Sequence, residues 1–262
     1  MDMEWLGLLY FVIIIVANMV GAVSGMGGGV IIKPLLDLIG VHSVATISFY
    51  SSVAVFTMSL VSTYRQIKQG IVLSWTKVGF LSLGAILGGI IGNHLLNWLL
   101  TTLANEDMVL VMQILLTVLS LCFAFLYSIK DWPSFNQTSN FAYLACGLLL
   151  GSLASLLGIG GGPINVSLLM LVFSLPIKEA TVYSIATILF SQLSKLVTIL
   201  VQGQLGQFDL RFLAYIIPAA ILGGFLGAYL SKRLSVKRVE KTFQVVILVV
   251  LFINLYNLVK LF

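Results

Sequence analysis

The sequence predicts an all-α polytopic membrane protein made of two inverted repeats, each containing a helical hairpin broken at a glycine cluster. Three observations predict this fold class: 60% of the 262 residues are apolar, only 14 are basic and 9 acidic, and two similar glycine clusters recur along the chain. A soluble domain of this length would carry about 65 charged residues. A bilayer-spanning helix needs about 20 mostly apolar residues, so this composition suffices for about eight hydrophobic spans. Extramembrane catalytic, nucleotide-binding and receptor domains are excluded.

Ten apolar runs predict ten helical segments. They lie near residues 5–22, 29–39, 44–63, 75–99, 108–129, 141–157, 163–174, 180–201, 211–231 and 242–261. The runs at 29–39 and 163–174 are too short to span a bilayer. Each of these two follows a glycine cluster, so we expect a hairpin with its tip at each cluster.

Matching blocks indicate an internal duplication. Residues 85–92 read AILGGIIG and residues 220–227 read AILGGFLG, an offset of 135, while the glycine clusters match at an offset of 133. Chance agreement of several blocks in the same order is improbable. The two predicted repeats lie in a single membrane domain. The first repeat spans 1–130 and has its hairpin tip at 25–29. The second repeat spans 131–262 and has its hairpin tip at 158–162.

Loop charge predicts that the second repeat is inverted, because Lys and Arg collect on the cytoplasmic side. If both cluster segments crossed the bilayer once, the basic residues would divide six against seven. If both segments return as hairpins, ten lie on one side and three on the other. The ten are Arg65, Lys68, Lys77, Lys130, Lys178, Lys232, Arg233, Lys237, Arg238 and Lys241, and the three are Lys33, Arg211 and Lys260. This bias favours hairpins, with both termini outside the cell.

The glycine clusters are candidate substrate-binding residues. A helix broken inside a membrane exposes N–H groups and is tolerated only where it is buried in protein or lines a cavity. The N-terminus of the helix after such a break is electropositive and binds anions, and inverted repeats bring two such tips together near the midplane. The candidates are Gly25, Gly27, Gly28, Gly29, Gly158, Gly160, Gly161 and Gly162. The alternative is that these glycines only permit tight helix packing, as we expect for Gly84, Gly88 and Gly92.

Polar side chains inside the apolar runs are further candidates. Ser184, Thr187, Ser191 and Lys195 form one stripe at helical spacing, and Ser48 begins a similar stripe in the first repeat. The hydroxyls could line the pathway or only join helices. Lys195 could hold an anion or reach the outer headgroups. Asn165 could donate to a ligand or cap its helix.

The two G-x-G-G-G clusters, each followed by an A-x-x-S-like helix start and a later L-G-G-x-x-G helix, resemble the sulfite exporter TauE/SafE family over nearly the whole chain. The resemblance implies transport of small sulfur-containing anions such as sulfite, thiosulfate or sulfonates across the bacterial plasma membrane, usually outward. The eight cluster glycines match the family's motif positions. Where the family often has a Thr-Ser pair, this chain has Ser48-Phe49 and Tyr183-Ser184.

We therefore expect a secondary transporter, an exporter, for a small anionic substrate, working in the lipid bilayer without a cofactor. The alternatives are an anion channel, a carrier for another small organic anion, or a scaffold. An enzyme is not expected, because there is no H-E-x-x-H zinc motif and no pair of intramembrane carboxylates. The basic residues lie in short membrane loops, so a nucleic-acid partner is not expected either. Since every acid is assigned to a loop or a segment end, we expect uniport or coupling through protonation of the substrate.

Overall fold

The described part of the chain is all-helical. The structure, a computed structural model, describes residues 3–68, 74–103, 105–130 and 132–261. These ranges contain ten α-helices: α1 Met3–Ser24, α2 Gly29–Ile39, α3 Val44–Lys68, α4 Trp75–Leu103, α5 Glu106–Ile129, α6 Asn140–Leu156, α7 Pro163–Phe173, α8 Ile177–Val201, α9 Leu213–Arg233 and α10 Val236–Lys260. Two short 3-10 turns, Gln204–Gln207 and Leu210–Phe212, lie between α8 and α9.

Seven of the helices are long and apolar enough to cross a membrane: α1, α3, α4, α5, α8, α10, and α9 with the 3-10 turn before it. The 17-residue α6 is apolar but shorter, and α2 and α7 have 11 residues each. The predicted all-α polytopic fold with ten helical segments is confirmed. The two short segments begin and end within about one residue of the predicted bounds.

Both glycine clusters break a helix and start a shorter one. The amide of Gly27 donates to the carbonyl of Gly21 at 3.3 Å, and the amide of Gly160 donates to the carbonyl of Ala154 at 3.2 Å. Positive φ angles of 74° at Gly25 and 66° at Gly158, among others, allow the reversal, because residues with a Cβ rarely adopt them. Pro163 opens α7, where its missing N–H is not needed.

Helices from the two halves of the chain interleave. α4 packs along α6 and α9 packs along α1. A Cβ added at Gly84, Gly88 or Gly92 of α4 would overlap the carbonyl oxygens of Leu144, Leu148 or Ser152 of α6. The predicted packing role of these three glycines is confirmed, since only a bare backbone allows so close an approach.

The remaining contacts come in corresponding pairs. α3 packs on α9 as α8 packs on α4, and α2 packs on α10 as α7 packs on α5. Such pairs are what a duplicated chain would produce. The repeat limits, the inversion and the positions of the termini stay predictions, and residues 1–2, 131 and 262 lie outside the described ranges.

Lys33 and Asp37 are not loop residues. Both lie inside α2, their side chains are each 4% exposed, and they form an ion pair of 2.7 Å. The assignment of Lys33 to a loop was therefore wrong, whereas Asp37 lies at a segment end as expected, in the last turn of α2. An i,i+4 pair satisfies both charges within one helix, so a charged side chain in a short apolar run need not reach the surface. The basic-residue bias becomes ten against two, which leaves its direction unchanged.

We expect the substitution Gly88→Ala to lower the free energy of unfolding by about 1–3 kcal/mol, because the new methyl group would overlap α6. Gly79→Ala in the same helix is the matched control, since nothing lies within 4 Å of its Cβ position. Alanine there should stabilise the helix by up to about 1 kcal/mol. Denaturant unfolding of the purified protein in detergent measures both effects. Equal stability of the two variants would contradict the close α4–α6 contact.

Candidate functional site

The two glycine tips touch each other. A Cβ at Gly161 would lie 3.0 Å from the carbonyl oxygen of Met26, and one at Gly27 would lie 3.9 Å from that of Gly160. A Cβ at Gly29 would overlap the carbonyl oxygen of Ile159. The structure thus brings the tips together, and a ligand could pass between them only if they moved apart.

Each tip also rests on a long helix of the other half. The Oγ of Ser184 on α8 donates to the carbonyl of Gly25 at 2.5 Å. A Cβ at Gly158 would lie 2.6 Å from the Oγ of Ser48 on α3. Ser48 and Ser184 are buried and lie against the tips, as their predicted inward-facing stripes require.

Gly28 and Gly162 are the N-cap residues of α2 and α7, and neither helix start receives a side-chain cap. The first N–H groups of a helix have no partner within it and carry partial positive charge. Both tips therefore present electropositive backbone. A Cβ at Gly28 would overlap the Oδ1 of Asn18, so side chains also crowd the first tip.

Lys195 lies beside the second tip and is 1% exposed. Its Nζ donates to the Oγ of Ser48 at 2.7 Å and to the carbonyl of Ser155 at 3.2 Å. The alternative that Lys195 reaches the headgroups is therefore wrong. An ammonium group has three donors, and within the described ranges two are used, both on uncharged oxygens.

The side chain of Lys33 also lies beside Gly158, a position that the sequence analysis missed. Its Cε lies 3.3 Å from the Cβ position of Gly158. Two buried lysines, one paired with Asp37, thus meet beside Gly158. The spacing of Lys33 and Asp37 within an apolar run was the signal that could have found the pair.

A cavity of about 300 Å³, here named the Ser48 cavity, opens next to these lysines. Its polar lining consists mainly of uncharged amide and hydroxyl groups, from Ser48, Asn93, Asn97, Thr101, Gln204 and Gln207. Ser48 belongs to this lining and also accepts the hydrogen bond from Lys195. The cavity therefore extends from the surface as far as a hydrogen-bond partner of Lys195.

The segment between α8 and α9 forms one wall of the Ser48 cavity. Phe208 stacks on Phe49 of α3 with ring centroids 4.3 Å apart, and the hydroxyl of Tyr50 donates to the carbonyl of Asp209 at 2.9 Å. Hydrogen bonds from Arg211 hold the pKa of Asp209 below its ordinary value. Burial lowers the pKa of nearby His42, and the charge of Asp209 opposes this shift.

The other predicted polar residues differ in their surroundings. Asn165, the third residue of α7, is 1% exposed, and its amide oxygen and nitrogen have no partner within the described ranges. It does not cap its helix. Thr187 and Ser191 donate to carbonyls of their own helix at 2.8 and 3.1 Å, as hydroxyls in apolar helices do. The buried hydroxyl of Ser51 also lacks a partner and lies 2.8 Å from the Cβ position of Gly29.

Two comparisons with known proteins found similar sequences. Residues 10–254 match the family model described as Sulfite exporter TauE/SafE. The probable membrane transporter protein YunE of Bacillus subtilis (strain 168) is 28% identical over 107 residues, which cover 41% of this chain and 38% of YunE. The chain thus aligns with well under half of the length of that relative. No solved structure matches the chain. Because the family model covers nearly the whole chain, the protein belongs to the sulfite exporter TauE/SafE family of membrane transporters.

Proposed function

We propose that this multi-pass membrane transporter is a secondary carrier that exports a small sulfur-containing anion, such as sulfite, thiosulfate or an organosulfonate, across the plasma membrane. The observation that carries the proposal is the buried side-chain nitrogen of Lys195, whose partners within the described ranges are the neutral oxygens of Ser48 and Ser155. A buried charge is costly unless it is paired. An anion entering the Ser48 cavity would supply the missing negative charge.

The N-terminus of α7 is a second electropositive feature of this hairpin. Gly158 lies against Ser48, and α7 starts at Pro163 with no side-chain cap. The partial positive charge of a helix N-terminus falls off within the first turn, so it favours an anion only in the immediate neighbourhood of the tip. The oxygens of a sulfonate or sulfite can accept bonds from a lysine and from backbone N–H groups at once.

A second cavity, of about 320 Å³, supports a carrier rather than a channel. Its lining includes Gln66, near the end of α3, whereas Ser48 lies near the start of that helix. The walls correspond: Asn93 and Leu96 of the Ser48 cavity match Ala228 and Ser231 of the second cavity at the repeat offset of 135. Two cavities at opposite ends of α3, with touching tips in the structure, suit alternating access.

Lys195→Met should weaken anion affinity by roughly 10- to 100-fold, because it removes a charge-assisted hydrogen bond worth about 1.5–3 kcal/mol. Lys237→Met, at an exposed position on α10, makes the same charge change and should leave transport unaltered. Initial rates of uptake of ³⁵S-labelled sulfite, thiosulfate and isethionate into proteoliposomes measure both variants. Equal transport by Lys195→Met and wild type would contradict the site, and no uptake by folded wild type would contradict the function.

Gly158→Ala should abolish saturable uptake, because its Cβ would lie 2.6 Å from the Oγ of Ser48. Gly203→Ala is the matched control: Gly203 has φ 68° against 66° for Gly158, and nothing lies within 4 Å of its Cβ position. Both variants carry a backbone strain of about 1–2 kcal/mol. Only the first displaces Ser48, the residue that joins the cavity to Lys195. Similar uptake by the two variants would show that the position of Ser48 against Gly158 is not needed for transport.

We propose further that both termini face outward, as the distribution of basic residues favours. In a background with Cys122 and Cys146 replaced by Ala, Gly206→Cys should react with a membrane-impermeant maleimide on intact cells. Gln137→Cys should react only after permeabilisation. Both positions are exposed and lie between helices. The opposite labelling pattern would reverse the proposed orientation.

A further inference from the structure

We propose that Asp37 sets the valence of the transported anion: by neutralising Lys33 it leaves one net positive charge beside Gly158, so the site prefers monovalent anions, such as hydrogensulfite or an organosulfonate, over divalent ones. This inference rests on the proposed function. It adds a substrate class and a residue that determines specificity.

The Lys33–Asp37 pair is built into the interior of the protein. The two side chains lie one helical turn apart on α2, are each 4% exposed and are 2.7 Å apart. The second carboxylate oxygen of Asp37 is buried without a partner within the described ranges. Lys33 is thus the group with which Asp37 interacts.

The charges near the site can be counted. Lys33 and Lys195 are the charged residues among the buried residues of the described chain, and the carboxylate of Asp37 is paired with Lys33. When both lysines are protonated and the carboxylate is ionised, two positive charges less one negative charge leave a net charge of +1. Glu106, at the Ser48 cavity, is exposed and accepts a bond from the amide of Val44 at 3.1 Å. It lies on the solvent side of the cavity and not among the buried charges.

A net charge of +1 favours a ligand of charge −1. A monovalent anion makes the buried cluster neutral, whereas a divalent anion leaves one negative charge without compensation in a poorly solvated place. One unit charge several ångströms away changes selectivity by roughly tenfold or more at an effective dielectric constant of about 20. Asp37 acts on the anion through Lys33 and does not touch the anion. Asp37 is therefore a positioning residue, which sets the net charge of the site.

The second tip lacks this pair. At the offset of 133 between the glycine clusters, Lys33 and Asp37 correspond to Val166 and Met170. A helical hairpin of this kind therefore forms without the ion pair, as α6 and α7 demonstrate. Building the hairpin does not require the two charges, which leaves a role in the substrate site for them.

The test compares isethionate, a monovalent sulfonate, with sulfoacetate, a divalent sulfonate of similar size. Competition of each unlabelled anion against ³⁵S-isethionate uptake into proteoliposomes gives a selectivity ratio. Wild type should favour isethionate by at least about tenfold. Asp37→Asn, which raises the net charge to +2, should lower that ratio by about tenfold or more. The double variant Lys33→Gln/Asp37→Asn restores a net charge of +1 and should restore the wild-type ratio.

Asp37→Asn leaves a buried lysine unpaired and risks misfolding. The selectivity ratio of the wild type and that of the double variant therefore each test the proposal independently of the single variant. Wild type that transports both anions equally, or that prefers sulfoacetate, overturns the inference while the proposed function stands. A folded, active Asp37→Asn protein with an unchanged selectivity ratio also overturns the inference and leaves the proposed function standing. If folded wild type transports no anion, the proposed function fails and this inference fails with it.

Discussion

Lys195 places an ammonium group in the interior of a helix bundle, where its hydrogen-bond acceptors are the hydroxyl of Ser48 and the carbonyl of Ser155. Neutral acceptors offset only part of the cost of taking a charge out of water. The rest of the candidate site follows from this constraint. Lys33, the second buried lysine, has its own carboxylate in Asp37, so Lys195 is the charge that an anion would neutralise.

Glycine makes this arrangement geometrically possible. The tips approach each other and the long helices α3 and α8 so closely that added Cβ atoms at Gly29, Gly158 and Gly161 would crowd or overlap neighbouring atoms. The same is true where α4 lies along α6. Within the membrane, helices associate through such close packing, because lipid is as apolar as their side chains. Burial lowers the effective dielectric constant around the two lysines and so strengthens their interaction with an anion.

Features set by local sequence could be predicted, and those set by contacts between distant segments could not. The short helices after the glycine clusters, Pro163 at the start of α7 and the packing glycines of α4 all follow from composition and spacing. The partner of Lys195 lies 147 residues away, so no periodicity within one helix reveals it. Lys33 was misplaced because an apolar run shows where a helix lies but not which of its charges find a buried partner. Thr187 and Ser191 were candidates only because they belong to the polar stripe of α8. Their hydroxyls donate to carbonyls of the same helix.

The most direct test of the central claim is the position of a bound anion. An experimental structure of the protein with 2-bromoethanesulfonate would locate the bromine by anomalous scattering and the sulfonate in the density beside it. The account predicts sulfonate oxygens within hydrogen-bonding distance of the Nζ of Lys195, where the Ser48 cavity ends at Ser48. A sulfonate bound elsewhere, with Lys195 still bonded only to Ser48 and Ser155, would contradict it.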